Sequence, residues 1–600
     1  MKAAAVCFAL ACFTLDRGLG AQETLLRAVP DKSELWLDAR CHLPDQVVVK
    51  FAEGTDIRAS KGTLVAPRDL RPVLAVLGQR AVRPFFTVGE EALRALRARV
   101  LAATAAGTTP PADLSLYAIV STRDLDDSRA LIQALHALPE VELAYARERA
   151  TPPPGESPPG DIPPVTPSFT SQQGWQNAAP TGLDAMAARS IIGGWGAGTY
   201  VLDVEYGWDF DHEDIAVLRP ASLIGPPGSS TFYNSHGTAA CGEIAADPDQ
   251  FGVHGLTPDI VLRVATDNPS TGYSVAGAIV AGLPVLRPRD VILLEAQASS
   301  PLGFVPTEYL QADFDAIQNA TKLGVIVVEP AGNGSANLDA PAFYRKFDLT
   351  WRDSGAIVVG STNGASLLPS STTSYGSRVD ANGWGATVTT TGYGDLFGGA
   401  DRRQHYTATF GGTSSASAMV TSVVVSLLSA AKAHWSPQKM KSFDFRAIRY
   451  LLRTYGTPMG PTSLLPIGRR PDLLGMLRAA GLERGLRVLD EVRINQSYHL
   501  ELTADFAAGG GDFWILYAAA GTGSVDIGLP SPCGRLTLDP VLLFPFTLGT
   551  FGGGNPTTVS IAVPNDPALF RTRLYWQAAT VRGVDLRICL TNGAQAYVMP

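Results

Sequence analysis

Between residues 196 and 481 short β-branched runs alternate with alanine-rich stretches, and that alternation leaves few folds open. The runs fall at 200–204, 260–264, 291–294, 325–328 and 356–359, each bounded by turn residues. Continuous apolar runs, rather than in–out alternation, belong to strands buried on both faces. Repetition of strand and helix in this order predicts a doubly wound α/β domain, a parallel sheet covered by helices on both sides.

Other segments follow different rules. Residues 151–167, TPPPGESPPGDIPPVTP, carry too many prolines for a helix or a strand ladder and read as an extended linker. Upstream, strand patterns at 46–51, 114–122 and 141–145 surround a helical pattern at 127–138, which predicts a small α+β domain. After Arg484 the helical patterns stop, and glycine triplets at 509–511 and 552–554 separate short apolar runs, as in an all-β sandwich. The expected organisation is therefore an export signal over 1–21, an α+β domain over 22–150, the linker over 151–167, the α/β domain over 168–481 and a β module over 482–600.

Several bulk features restrict function. A chain of 600 residues exceeds what one core organises. A formal net charge of -8 with no basic cluster argues against a nucleic-acid partner. Met1-Lys2, an uncharged apolar run and the small residues Gly18 to Ala21 read as a secretory signal, which points to a secreted or extracytoplasmic protein. That run is about half the ~20 residues a membrane span needs, and no other stretch reads as a span. Cys533 and Cys589 are available for one disulfide, while Cys241 reads as a buried, inert thiol.

Three segments supply parts for acyl transfer. In NSHGTAACGEIAA (234–246), His236 falls on the first turn of a helix whose small residues allow close packing. In FGGTSSASAMV (410–420), Ser414 opens a long apolar helix, where free backbone N–H groups favour developing negative charge. In VVEPAGNG (327–334), Asn333 follows a strand between two glycines, so that its amide can reach a cleft. Taken singly, each has an ordinary structural explanation: a core histidine, a helix cap, a turn residue. Together they make a nucleophile, a base and an oxyanion donor.

These residues resemble the subtilisin-like serine proteases, the subtilases. The likeness runs over roughly 181–481 and rests on His236-Gly-Thr, Ala331-Gly-Asn333 and Gly412-Thr-Ser414, with GVHGLTP (252–258) beside them. It implies Ser414 rather than Ser415 as nucleophile, His236 as base and Asn333 in the oxyanion hole. It also implies Glu295, Ala296, Gln297 and Gly332 in substrate binding, and protein or peptide substrates. No cofactor is implied for catalysis; structural calcium is common in the family, but no ligand set can be matched here, and no catalytic metal is expected. The region from about 43 to 149 resembles the family's inhibitory propeptide, which would make it an intramolecular partner and the chain a zymogen. The last few dozen residues resemble β-sandwich tails on exported proteins of planctomycete-type bacteria.

One position departs from the family. Subtilases place Asp, any residue, Gly and an apolar residue before a His-x-Asp tail. In VLDVEYGWDFDHEDI (201–215), aligning Gly207, His212, Asp214 and Ile215 without a gap puts Glu205 at the acid position. Asp203 lies two residues earlier, on the same face of a strand, and could also approach His236. Two acids so close should not both ionise freely. Glu295 and Glu329 would favour basic residues at the cleaved position if either faced the pocket; otherwise they are hydrogen-bonded structural acids. A sedolisin-type acid peptidase, which uses Glu and Asp without His, and an inactive protease-like binding protein are the competing readings.

Overall fold

The computed structural model describes residues 31–148 and 165–599 apart from 33–34, 39–40, 61, 68, 105–108, 399–400, 505–511, 527–534, 542, 552–555, 567–568, 570–571 and 586. The expected export signal, almost all of the proline-rich linker and Cys533 lie outside the described residues.

The N-terminal unit is an antiparallel sheet of β1 (His42–Phe51), β2 (Val82–Pro84), β3 (Tyr117–Ser121) and β4 (Val141–Glu148), in the order β2-β3-β1-β4. The unit also holds helices α1 (Glu90–Ala103) and α2 (Leu125–His136). Asp124 caps α2 by accepting from the Asp127 N–H at 2.8 Å, satisfying one of the free donors of the first turn. Val47, Val49, Leu131 and Leu135 fill the unit's own core. The opposite face, with Val48, Tyr117 and Ile119, joins an apolar cluster of the next domain.

That next domain is built on six strands: β5 (Tyr200–Glu205), β6 (Val261–Thr266), β7 (Val291–Leu294), β8 (Ile326–Pro330), β9 (Ile357–Thr362) and β10 (Ala381–Trp384). All five pairings are parallel, in the order β10-β9-β8-β7-β5-β6. Val201, Leu293, Val328 and Val359 face one apolar layer, and Leu202, Val204, Leu294 and Val327 face the other. The first layer is covered by α3 (Asn234–Ala245) and α6 (Gly412–His434), the second by α4 (Val275–Gly282) and α5 (Gln311–Lys322). Burial on both sides explains why the strands read as unbroken apolar runs. Among the described residues α6 alone is long and apolar enough to cross a membrane, which corrects the expectation that no such stretch follows the N-terminus. It is wholly buried as the central helix of the domain.

The chain runs from β5 to its neighbour β6 and then crosses to β7 on the other side of β5. At such a switch point the loops part, and a crevice opens beyond the strand ends. Glu205 is the last residue of β5, Glu295 follows β7 and Asn333 follows β8 by three positions.

Beyond Arg484 the described residues form strands only. A three-stranded and a larger sheet share one core around Leu500, Trp514, Leu516 and Trp576. Arg573 clamps this module to Asp259 of the α/β domain, with Nη2–Oδ1 at 2.6 Å. Cys589 is disulfide-bonded, and Cys41 and Cys241 are free.

Candidate active site

His236 sits on the first turn of α3, 4% exposed, with its ring edge-on to Phe410 at 5.4 Å. Its Nδ1 is hydrogen-bonded to Glu205 Oε2. Glu205 is fully buried, and its Oε1 accepts from the Tyr206 N–H at 2.7 Å, which fixes the carboxyl plane. The contact is made possible by Gly237: a Cβ there would stand 2.5 Å from Glu205 Cγ and 2.5 Å from the Gly207 carbonyl oxygen. The glycine after His236 is therefore required by close approach.

Asp203 does not bond the imidazole. Its Oδ2 accepts from Trp208 Nε1 at 2.7 Å and from Cys241 Sγ at 3.4 Å. Cys241 is buried, and burial and the neighbouring carboxylates push its thiol well up, as suits an unreactive sulfur. Burial lifts Asp203 to about 6. Burial, then the Asp203 charge, lifts Glu205 well above the carboxylate range, and burial pulls His236 down. Burial thus disfavours charge on both members of the Glu205–His236 pair.

The residues used to align this segment brace it. His212 Nε2 donates to the His405 carbonyl at 2.9 Å, and the Val253 N–H donates to Asp214 Oδ2 at 2.8 Å.

Ser414 lies on the first turn of α6 and is 9% exposed. Its backbone N–H falls among those a helix start leaves without an intrahelical acceptor. Asn333 is half-buried, and its Oδ1 accepts from the Thr413 N–H at 2.9 Å and Thr413 Oγ1 at 3.2 Å. That engages the acceptor end of the amide and leaves its donor end for the crevice. The Asn333 N–H donates to Gln297 Oε1 at 2.8 Å, so Gln297 holds the loop that carries Asn333. Gly332 has φ +91, and a Cβ there would stand 2.6 Å from the Phe304 carbonyl oxygen. Ala296 is buried beside Glu295.

Of the two alternatives for Glu295 and Glu329, the hydrogen-bonded one fits both, and this removes Glu295 from the substrate-binding residues. Glu295 does not present its carboxylate to substrate: it is 6% exposed and its Oε1 contacts Ser417 Oγ at 3.0 Å. Its carboxylate, that of Glu205 and the His236 ring have donor atoms all within 4.8 Å of one another. Within the trio the hydrogen bond is Glu205–His236, and Glu295 is held by Ser417. Glu329 is fully buried and accepts from Thr307 Oγ1 at 3.0 Å and the Glu308 N–H at 3.2 Å. Glu329 turns away from the crevice, under the turn that carries Thr307 and Glu308, while Glu295 stays at its buried floor against Ser417. Sequence reasoning missed Ser417, whose only signal was its place one helical turn after Ser414.

Residues 208–457 match the model of the subtilase family. This stretch is a subtilase-family domain. It is 28% identical over 172 residues to Subtilisin DY of Bacillus licheniformis, covering 28% of this chain and 61% of that one. Against the subtilisin of Bacillus pumilus the identity is 25% over 228 residues, 37% of this chain and 78% of the relative. The serine protease of Aeromonas sobria aligns in structure over 74% of this chain and 96% of its own, at 16% identity and a TM-score of 0.38. The chain thus spans about three-fifths of the length of Subtilisin DY, and the subtilase part accounts for the α/β domain alone.

Proposed function

We propose that this subtilase is an exported serine endopeptidase acting on protein or peptide substrates through Ser414, His236 and Glu205. The observation that carries the reading is the Glu205–His236 hydrogen bond at the switch point of the sheet, with Ser414 at the helix start that packs beside it. His236 takes the Ser414 proton as Oγ attacks the scissile carbonyl and returns it to the leaving amine. Glu205 holds the imidazole tautomer and stabilises the imidazolium that forms, without taking its proton. The oxyanion is held by the Asn333 amide and the Ser414 N–H. Asp203 supports the pair from behind, through Trp208. A sedolisin-type mechanism has no imidazole, and the bonded His236 speaks against it.

The N-terminal unit fits an inhibitory propeptide. Its last described strand, β4, ends at Glu148, whose carboxylate accepts from the Ser299 N–H, two residues beyond Gln297. Arg147 Nη2 donates to the Tyr273 carbonyl at 2.8 Å. A tail leaving β4 therefore starts beside the crevice.

Purified mature protein is expected to hydrolyse casein, and Ser414→Ala is expected to abolish hydrolysis. Asn333→Ala should lower turnover by ~10²–10³, the size known for the equivalent donor in subtilisin. Undiminished hydrolysis by Ser414→Ala would remove the reading.

A further inference from the structure

One carboxyl in the crevice has no part in the reaction above. Glu295 is buried, its Oε1 contacts Ser417 Oγ at 3.0 Å, and its Oε2 is buried without a regular hydrogen bond. The Ser414 hydroxyl lies near enough to favour its ionised form, as does that of Ser417.

Proton counting at Ser417 constrains the form it takes. A serine hydroxyl has one proton. Two oxygens lie within its reach, the Ser414 carbonyl at 2.8 Å and Glu295 Oε1 at 3.0 Å. The carbonyl contact is the shorter and repeats within the helix turn. If the proton goes there, the contact to Glu295 is a hydrogen bond only when Glu295 supplies its own proton. The groups that face Glu295 agree. They are Asp203 and Glu205 on β5, His236, Cys241 and Glu243 on α3, and Ser414 and Ser417 on α6. None of them is a permanent cation. Burial and the two β5 carboxylates hold Glu295 well above the usual carboxylate range.

Building on the peptidase reading, we propose that Glu295 is a positioning residue that works as a neutral acid and switches the site off at alkaline pH. Its O–H donates to Ser417 Oγ, and Ser417 donates to the Ser414 carbonyl, which fixes the turn that carries the nucleophile. Loss of the Glu295 proton to solvent draws the Ser417 proton away from the Ser414 carbonyl. It also places a second negative charge beside the hydroxyl where negative charge develops.

The test compares pH profiles of kcat and KM for mature wild type, Glu295→Gln and Glu295→Ala. Gln keeps a donor that does not titrate. It should lower kcat at the optimum by up to about tenfold, the cost of one altered hydrogen bond, and should lose the alkaline limb. Ala should lower kcat by about 10–100-fold with KM little changed. A Gln variant with the wild-type alkaline limb would overturn the proposal. The proton can also be read without activity, as a protonated-carboxyl C=O stretch in wild-type-minus-Gln infrared difference spectra. That band should be present at neutral pH and vanish at alkaline pH; its absence at neutral pH overturns the proposal even if the protein hydrolyses nothing, an outcome that would count separately against the peptidase reading.

Discussion

Two groups of buried carboxyls stand on the same sheet under opposite rules. Beside β9 and β10, Arg378 Nε and Nη2 donate to the two oxygens of Glu308 at 2.6 and 2.9 Å, and Nη1 donates to Asp380 at 2.9 Å. Arg449 grips Asp353 through two bonds of 2.8 Å, and Arg453 Nε reaches Asp380 at 2.7 Å. Burial alone would raise Glu308 and Asp353, but the arginine charges and bonds outweigh it and both carboxyls are lowered. At the ends of β5 and β7, Asp203, Glu205 and Glu295 are nearly as buried as Glu308 and Asp380, face His236 and no arginine among the groups named, and are all raised. A paired buried carboxylate is architecture; an unpaired one is poised to move a proton.

The sharpest break of this comparison is between neighbours. Glu205→Ala should lower kcat/KM by ~10⁴, the loss found for the triad acid in subtilisin, whereas Asp203→Asn should cost no more than about tenfold. A larger loss from Asp203 would exchange their roles. At the arginine end, Arg378→Ala should destabilise the domain by about 3–5 kcal/mol in denaturant unfolding, because it strands the buried Glu308 carboxylate. It should leave the pH profile of the surviving activity unmoved.

The two ends should also respond oppositely to pH. Glu308 and Asp353 have lowered folded values, so their stabilisation is complete above the unfolded range near ~4 and is lost as pH falls through the lower folded value. Asp203 has a raised folded value of about 6, so it costs stability as pH rises from ~4 through that value. Asp203→Asn, which keeps an acceptor for Trp208, should recover up to about 3 kcal/mol at pH 7 and nothing at pH 4. Equal stabilisation at both pH values would show that Asp203 is ionised without strain.

Much of the α/β domain was legible because parallel strands buried on both faces must be written as apolar runs, and five of its six strands fall where those runs lie. The strand Ala381–Trp384 did not read as one, since its sequence ANGW has no β-branched residue and it lies at the end of the sheet beside β9. His236 and Ser414 were legible because each needs small neighbours, as Gly237 shows. The direction of Glu295 was not, because it depends on β7 and α6 meeting across the sheet. In the N-terminal unit the sequence pattern missed α1, whose stripe of Leu93, Leu96 and Val100 is narrow and surrounded by arginines.

The central claim, that Ser414 is a nucleophile activated by the Glu205–His236 pair, is tested most directly by reacting mature protein with a fluorophosphonate and locating the adduct by mass spectrometry. The account predicts one adduct per chain, on Ser414, forming at a rate that falls by orders of magnitude in His236→Ala. An adduct on Ser415, or none in properly matured protein, would contradict it.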